Sequence, residues 1–429
     1  MRIRELTIKN FRPFGGDRSP FEFRDQFTII AGVNGRGKTA ILDAIAICLS
    51  RLVPQITEAK GGQRTLEPND VHRGQNESSF VMKLNCAGYP VDNFTVTYQR
   101  DRKYLKATHL IPRVRQEIKN LYGADRTRSN DAAPIAVYYT TDRAGFRRPK
   151  YILTRVSIGQ AAAYQGALWN RMVNYRDLMA RLTARIRVEA AEPQPNRAYF
   201  GERAIHAIQE ALSNFLEGFS DLRVENAPLR LMINKNRIPL DLGQLSDGER
   251  SFLAMVCDLC RRLVLANPGL TNPLHGEGVV LIDELELHLH PRWQREVVDK
   301  FRTTFPKIQF ICTTHSPFVV QGARQDELLA LDEDVIPAQF ENRGLEEIAV
   351  KVMGIADPRV SPRYLHMLDA AKEYFHVLEG VKTVERMRPV NRGRLDDLKA
   401  RLDGLASPFA DNPAYQAFLE MNRRAAFKE

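Results

Sequence analysis

The sequence is short of three things: cysteine, long hydrophobic runs and repetition. Its five cysteines, Cys48, Cys86, Cys257, Cys260 and Cys312, are odd in number and scattered, which suits reduced thiols better than a disulfide frame. The pair Cys257 and Cys260 has the spacing of a metal or redox motif, but no second pair exists and both lie in an apolar helical run, so both are expected in the core. No N-terminal stretch has the form of a leader, and no window reads as the roughly 18 apolar residues that a membrane span requires. The expectation is a cytoplasmic protein with no membrane partner. No internal repeat and no low-complexity tract is present, so the chain is neither a solenoid nor a disordered linker.

The 429 residues, 44% of them apolar, suffice for one large α/β domain with insertions or for two to three smaller domains. The net charge of +10 is unevenly placed. Residues 100–187 hold 19 Lys/Arg against 6 Asp/Glu, an excess larger than that of the whole chain, so the remainder is slightly acidic. That stretch can meet nucleic-acid phosphates or an acidic protein, or be solvated helix surface.

The most informative stretch is Gly32-Val33-Asn34-Gly35-Arg36-Gly37-Lys38-Thr39. It follows an alternating run, Phe21 to Ile30, whose part from Phe23 reads as the strand leading into the loop, and precedes an apolar helical pattern from about Lys38 to Val53, with Pro54 at the expected end. The spacing G-x-x-x-x-G-K-T is that of a phosphate loop for ATP. Backbone N–H groups around Asn34, Gly35 and Gly37 close on phosphates, Lys38 reaches the β and γ oxygens, and Thr39 offers a hydroxyl to Mg²⁺.

Residues 1–9 read as a half-buried strand, and Phe80 to Leu84, Asn93 to Tyr98 and Pro134 to Tyr139 as further strands. The last ends in the polar set Thr140-Thr141-Asp142-Arg143. Between Gln160 and Phe219 the pattern is helical, with Leu168, Met172, Tyr175 and Met179 at helical spacing. A hairpin is expected across Asn234-Lys235-Asn236. Gly278 to Ile282 is a β-branched apolar run ending in Asp283-Glu284, the form of a central buried strand with a ligand at its C-terminal end. Asp283 can hold Mg²⁺ and Glu284 can polarise the attacking water. Ile308 to Cys312 is another buried strand, and His315 just beyond it can contact the γ-phosphate. Leu328 to Leu331 reads as a last strand.

Together with Leu245-Ser246-Asp247-Gly248-Glu249, these motifs resemble the ABC-type ATPases, and within them the SMC/RecF-like branch. The resemblance implies an α/β fold: an ABC-type P-loop ATPase head with an inserted helical arm and a C-terminal helical region. The expected divisions are 1–159 and 223–342 for the two parts of the ATPase core, 160–222 for the arm and 343–429 for the C-terminal helices. It further implies that Ser246 and Gly248 contact ATP held by a second copy, so that a homodimer, and from it higher oligomers, forms around two nucleotides. Asp247 and Glu249 depart from the importer signature and argue against a transport subunit. Gln63 and Gln75 are both candidates for the glutamine that contacts Mg²⁺. His288 and His290 alternate like a metal pair, without a third ligand nearby, and are expected to be interface residues.

The run Glu286-Leu287-His288-Leu289-His290-Pro291 is similar to that of OLD nucleases and stand-alone bacterial defence ATPases. Asp332-Glu333-Asp334 superficially resembles the carboxylates of a Toprim nuclease, but no companion glutamate strand is evident and no intrinsic nuclease is expected. The whole-chain pattern, including Tyr138-Tyr139-Thr140-Thr141-Asp142-Arg143 and the tail Asp411 to Leu419, resembles the ATPase subunits of Septu and related retron anti-phage systems. That resemblance implies a separate HNH-type nuclease as partner. A DNA-clamping repair ATPase and a nucleotide-holding scaffold are the alternatives.

Overall fold

In a computed structural model, the residues described are 1–17, 19–57, 62–101, 103–122, 132–144, 160–169, 200–226, 229–324, 326–331, 344–352, short pieces between 363 and 376, and 389–406. The chain opens with β1 (Arg2–Phe11), β2 (Phe14–Asp17) and β3 (Phe21–Glu22), then crosses to β4 (Phe27–Ala31) in a second sheet. Helix α1 (Lys38–Ile56) leaves the phosphate loop. Strands β5 (Glu77–Cys86), β6 (Tyr89–Gln99) and β7 (Tyr104–Ala107) complete an antiparallel sheet in the order β2-β1-β5-β6-β7, with β3 on β1. After α2 (Pro112–Leu121), β8 (Ile135–Tyr139) returns to the second sheet.

Helix α3 (Phe200–Phe215) leads to a small antiparallel sheet of β9 (Phe219–Asn226), β10 (Leu229–Lys235) and β11 (Ile238–Asp241). Helix α4 (Asp247–Ala266), β12 (Gly278–Ile282), α5 (Pro291–Thr304), β13 (Ile308–Thr313), α6 (Pro317–Gln321) and β14 (Leu328–Ala330) follow. The second sheet is entirely parallel, in the order β14-β4-β13-β12-β8. Every residue of β4, β8, β12 and β13 is buried. This is why these strands read as continuous apolar runs, and it sends polar function to their C-terminal ends.

Met1–Gly354 forms one compact unit and Ile355–Glu429 a second. The first also holds α7 (Leu345–Lys351), and the second α8 (Pro389–Ala406) with Leu398 and Leu402 buried. In the first unit an aromatic cluster lies between α3, α4, α5 and β13: Phe215 packs edge-on to Phe301 at 4.8 Å and to Phe252 at 5.4 Å, and Phe301 meets Phe310 at 5.0 Å. Burial of such rings is worth about 1.5–3 kcal/mol each. Gln309, fully buried on β13, bonds the backbone N–H and C=O of Ile3 at 2.7 and 2.8 Å and the C=O of Arg24 at 2.7 Å. One amide thereby locks the two large sheets together.

Several sequence expectations change here. The run from Phe21 to Ile30 is not one strand: Phe21–Glu22 pairs with β1, and the chain bends before Phe27 enters the parallel sheet. Helix α1 runs through Pro54 to Ile56, because near the end of a helix the missing proline N–H costs one bond, and the Thr57 N–H and hydroxyl still bond the Val53 carbonyl. The hairpin turns at Asn236-Arg237, both at positive φ, so Asn234 and Lys235 belong to β10. Helix α1 is also long and apolar enough to cross a membrane by composition, contrary to the reading that no window approaches that length. Its apolar residues are buried in this fold. Of the stretch read as a helical arm, 170–199 lies outside the described residues, and α3 packs in the core with Ala204, Ala207, Ile208 and Ala211 buried.

Candidate functional site

The C-terminal ends of β4, β12, β13 and β8 gather the motif residues. Gly35 and Gly37 take φ of 83° and 97°, in the left-handed region where glycine is unstrained. At Gly37 a Cβ would also lie 2.5 Å from the Phe14 ring. Lys38 is buried, and its Nζ donates to the carbonyl oxygens of Gly32 and Val33 at 2.7 and 3.1 Å, folding back over the loop. Thr39 Oγ1 donates to Asp283, 3.0 Å from Oδ2 and 3.2 Å from Oδ1, joining the first turn of α1 to the end of β12.

Asp283 is buried and held from two further sides. Its N–H donates to the carbonyl of Tyr139 at 2.8 Å, and Thr313 Oγ1 donates to its Oδ1 at 2.5 Å. The same Thr313 oxygen accepts the N–H of Glu284 at 2.8 Å. Glu284 sits at φ 50°, a left-handed conformation that costs a non-glycine residue about 1–2 kcal/mol. His315 follows β13, and its N–H donates to Glu286 Oε1 at 2.5 Å while Thr314 Oγ1 donates to Oε2 at 2.6 Å. Lys38, Thr39, Asp283, Glu284 and His315 therefore share one sheet edge.

Ser246 is the exposed N-cap of α4, and it and Glu249 form a capping box: Ser246 Oγ accepts the Glu249 N–H at 3.3 Å, and Glu249 Oε2 accepts the Ser246 N–H at 3.2 Å. Lys235 donates to Glu249 Oε1 at 2.6 Å. Burial works to raise the Glu249 carboxyl, but the bonds from Lys235 and Ser246 outweigh it and hold the group below its ordinary range. Gly248 is required on steric grounds, since any Cβ there would overlap the carbonyl oxygen of His288. His288 itself is at φ 64°. His290 Nδ1 accepts the Arg292 N–H at 3.3 Å and caps α5. Among the described residues no three His, Cys, Asp or Glu side chains group as a metal site.

A second buried network backs the site. Asp258 on α4 takes Arg261 at 2.8 Å, Arg262 at 2.6 Å and the Tyr139 hydroxyl at 3.2 Å. Burial would raise its carboxyl, yet the two guanidinium groups hold it well below the usual carboxylate range. On the other face of β8, Asp43 of α1 takes Arg12 at 2.5 Å and Arg64 at 2.8 Å, and Arg64 lies 5.2 Å from the centre of the Tyr138 ring. Neither network was legible beforehand. Thr313 and Arg64 are distant in sequence from the carboxylates they hold, Asp283 and Asp43, and so is Asp258 from Tyr139; strand order and packing bring them together, whereas Asp43 lies one helical turn beyond Thr39 and Glu286 two residues beyond Glu284.

Gln63 is exposed and engaged by Arg51, and Gln75 is exposed in the loop before β5. Cys257 and Cys260 are buried in α4, with burial pushing the Cys257 thiol up to about 12. Asp332-Glu333-Asp334, Met172, Tyr175, Met179, the tail 411–419 and much of 100–187 lie outside the described residues.

The donors present, the Asp283 carboxylate and the Thr39 hydroxyl, are hard oxygen ligands of the kind a Mg²⁺-type cation takes.

Residues 27–321 match the family described as AAA domain, putative AbiEii toxin, type IV TA system. Among curated proteins the chain is 28% identical to a retron Ec83 probable ATPase of Escherichia coli over 381 residues, covering 74% of this chain and 69% of the relative. It is 25% identical to a retron Vc95 probable ATPase of Vibrio cholerae serotype O1 biovar El Tor, covering 78% and 74%. A Septu protein PtuA of Bacillus thuringiensis is 38% identical over an alignment of 158 residues, covering 34% of this chain and 40% of that protein. Among solved structures, the SMC head domain from Thermotoga maritima is similar at a TM-score of 0.41 and 16% identity, covering 76% of this chain and 94% of that one.

Proposed function

The chain belongs to the AAA domain family described as putative AbiEii toxin of a type IV TA system, and on that premise we propose that it is a Mg²⁺-dependent ATPase of a retron- or Septu-type defence system. The observation that carries this reading is the contact between Thr39 and Asp283 at 3.0 Å, beneath a glycine loop that Lys38 closes. When bound, Mg²⁺ supplies charge neutralisation at the phosphates, with Thr39 and Asp283 as its protein ligands. Lys38 exchanges the loop carbonyls for phosphate oxygens. The backbone N–H groups at Asn34, Gly35 and Gly37 cradle the phosphates. Glu284 orients and polarises the attacking water, and Thr313 fixes the peptide that carries it. His315, set by Glu286, contacts the γ-phosphate.

Ser246 and Gly248 stand at an exposed helix N-terminus, a geometry suited to anions. In this account they contact the ATP of a second copy, so the active form is a homodimer closed on two nucleotides, able to build higher oligomers. The nucleotide state then regulates a separate HNH-type nuclease in the cytoplasm, and no nuclease activity resides in the chain. Nucleic acid meeting residues 100–187 is a further partner of this reading.

Purified protein is expected to hydrolyse ATP only with a divalent cation, and Lys38→Ala to lose nucleotide binding. Turnover that survives Lys38→Ala contradicts the assignment. Co-purification with the product of the adjacent gene, with and without ATP, tests the nuclease partner. Salt-sensitive DNA retention by the ATPase alone would favour a DNA clamp instead.

A further inference from the structure

Helix α5 begins where the turn after the acidic pair ends, and a half-buried side chain of its first turn, Gln294, ties that turn to the loop of His315. Gln294 Nε2 donates to the carbonyl of Leu289 at 2.8 Å, and Ser316 Oγ donates to Gln294 Oε1 at 2.6 Å. A backbone carbonyl can only accept, so the amide nitrogen must face Leu289 and the amide oxygen is left for the serine proton. The Ser316 oxygen also accepts the N–H groups of Phe318 at 3.1 Å and Val319 at 3.4 Å, which holds the hydroxyl in place.

The same turn grips His315 a second time. Glu286 accepts the His315 N–H and the Thr314 hydroxyl, and its backbone carbonyl accepts the Leu289 N–H at 2.8 Å. Residues 314–316 are thus clamped to residues 286–289 at two points. Between those points stands His288, at φ 64° and with its carbonyl oxygen against Gly248 of α4. A non-glycine residue keeps such a conformation only while its surroundings hold it, and Gln294 holds the residue that follows. A path of direct contacts therefore runs from His315 through Ser316, Gln294, Leu289 and His288 to Gly248.

We infer that Gln294 is a positioning residue that sets His315 and the His288 turn relative to each other, so that a γ-phosphate met by His315 is felt at the Ser246–Gly248 end of α4. The inference rests on the nucleotide-site reading given above. It adds a link between the two ATP sites of a dimer, since His315 serves the ATP of its own chain and Ser246 and Gly248 that of the other.

The test uses the full chain with Gln294→Leu, which keeps most of the side-chain volume and removes both bonds. Gln294→Glu keeps an acceptor for Ser316 but sets a carboxylate against the Leu289 carbonyl, so it breaks only that link. Arg295→Leu is the control: it removes a guanidinium 4.9 Å from the centre of the Phe318 ring, a contact between α5 and α6 that leaves the glutamine untouched. ATP binding, ATP-dependent dimerisation and single-turnover hydrolysis per bound ATP are measured beside the melting temperature. Both Gln294 variants are expected to bind ATP within about twofold of the wild type, because Lys38 and Thr39 are unchanged. They are expected to need about tenfold more protein to dimerise and to hydrolyse bound ATP about tenfold more slowly, the effect of one or two half-buried hydrogen bonds. Arg295→Leu is expected to melt lower and to dimerise and hydrolyse as the wild type does. A merely structural glutamine would lower the melting temperature in Gln294→Leu and leave hydrolysis per bound ATP unchanged, which overturns the proposal. So does Gln294→Glu behaving as the wild type, a loss of ATP binding in either Gln294 variant, or an equal loss of hydrolysis in Arg295→Leu. A wild type that binds no ATP, or hydrolyses it equally as a monomer, overturns the nucleotide-site reading itself.

Discussion

The hydroxyl of Thr313 donates to the carboxylate of Asp283 at 2.5 Å, and so fixes the acid at the end of one parallel strand from the end of its neighbour. Because the same oxygen accepts the Glu284 N–H, one threonine sets both members of the acidic pair. Thr313→Val keeps the shape and removes both bonds, one from a buried carboxylate and one from a half-buried N–H. It is expected to cost about 1–3 kcal/mol of stability and to reduce ATP turnover about tenfold or more. Denaturant unfolding and steady-state hydrolysis check the two effects separately.

Gly248→Ala is expected to impair turnover with little loss of nucleotide binding by the single chain. The added methyl overlaps the His288 carbonyl and displaces the signature helix or the His288 turn, while Lys38 and Thr39 are untouched. Nucleotide binding measured beside ATP-dependent dimerisation distinguishes these. Normal dimerisation and turnover would contradict the role given to Gly248.

Asp258 makes stability depend on acid. Its carboxyl is depressed in the fold, so its contribution is fully present above the unfolded value of about 3.9 and is lost as pH falls below that towards the folded value. Asp258→Ala leaves Arg261 and Arg262 buried without their partner and is expected to cost about 3–5 kcal/mol at pH 7. The gap between variant and wild type is expected to narrow below about pH 4, as unfolding curves at both pH values would show.

All five cysteines are buried, and burial pushes the Cys86 and Cys257 thiols up to about 11 and about 12. The folded protein is therefore expected to show no fast-reacting thiol with an aromatic disulfide reagent at pH 8. A rapid stoichiometric burst before unfolding would contradict the packing described for α1 and α4.

The parallel strands were legible because their burial on both faces leaves an uninterrupted apolar run, as in Gly278 to Ile282 and Ile308 to Cys312. The phosphate loop was legible because its chemistry depends on residues adjacent in sequence. The crossing between sheets at residues 23–26 was not, since Phe21 and Phe27 face apolar surroundings in both sheets and the alternation hides the bend. Nor was the end of α1, where tertiary burial carries the helix past Pro54. Partners such as Thr313 for Asp283 or Arg64 for Asp43 follow from strand order and long-range packing, which no local pattern encodes.

The central claim is that Glu284 activates water at a site built on Lys38, Thr39 and Asp283. Its most direct test is single-turnover hydrolysis of ATP by Glu284→Gln beside the wild type, with bound nucleotide measured in the same samples. The account predicts that the variant binds ATP, loses about 10²-fold or more of the hydrolysis rate, and accumulates in a closed, ATP-loaded form. Equal hydrolysis rates in the two proteins would contradict it.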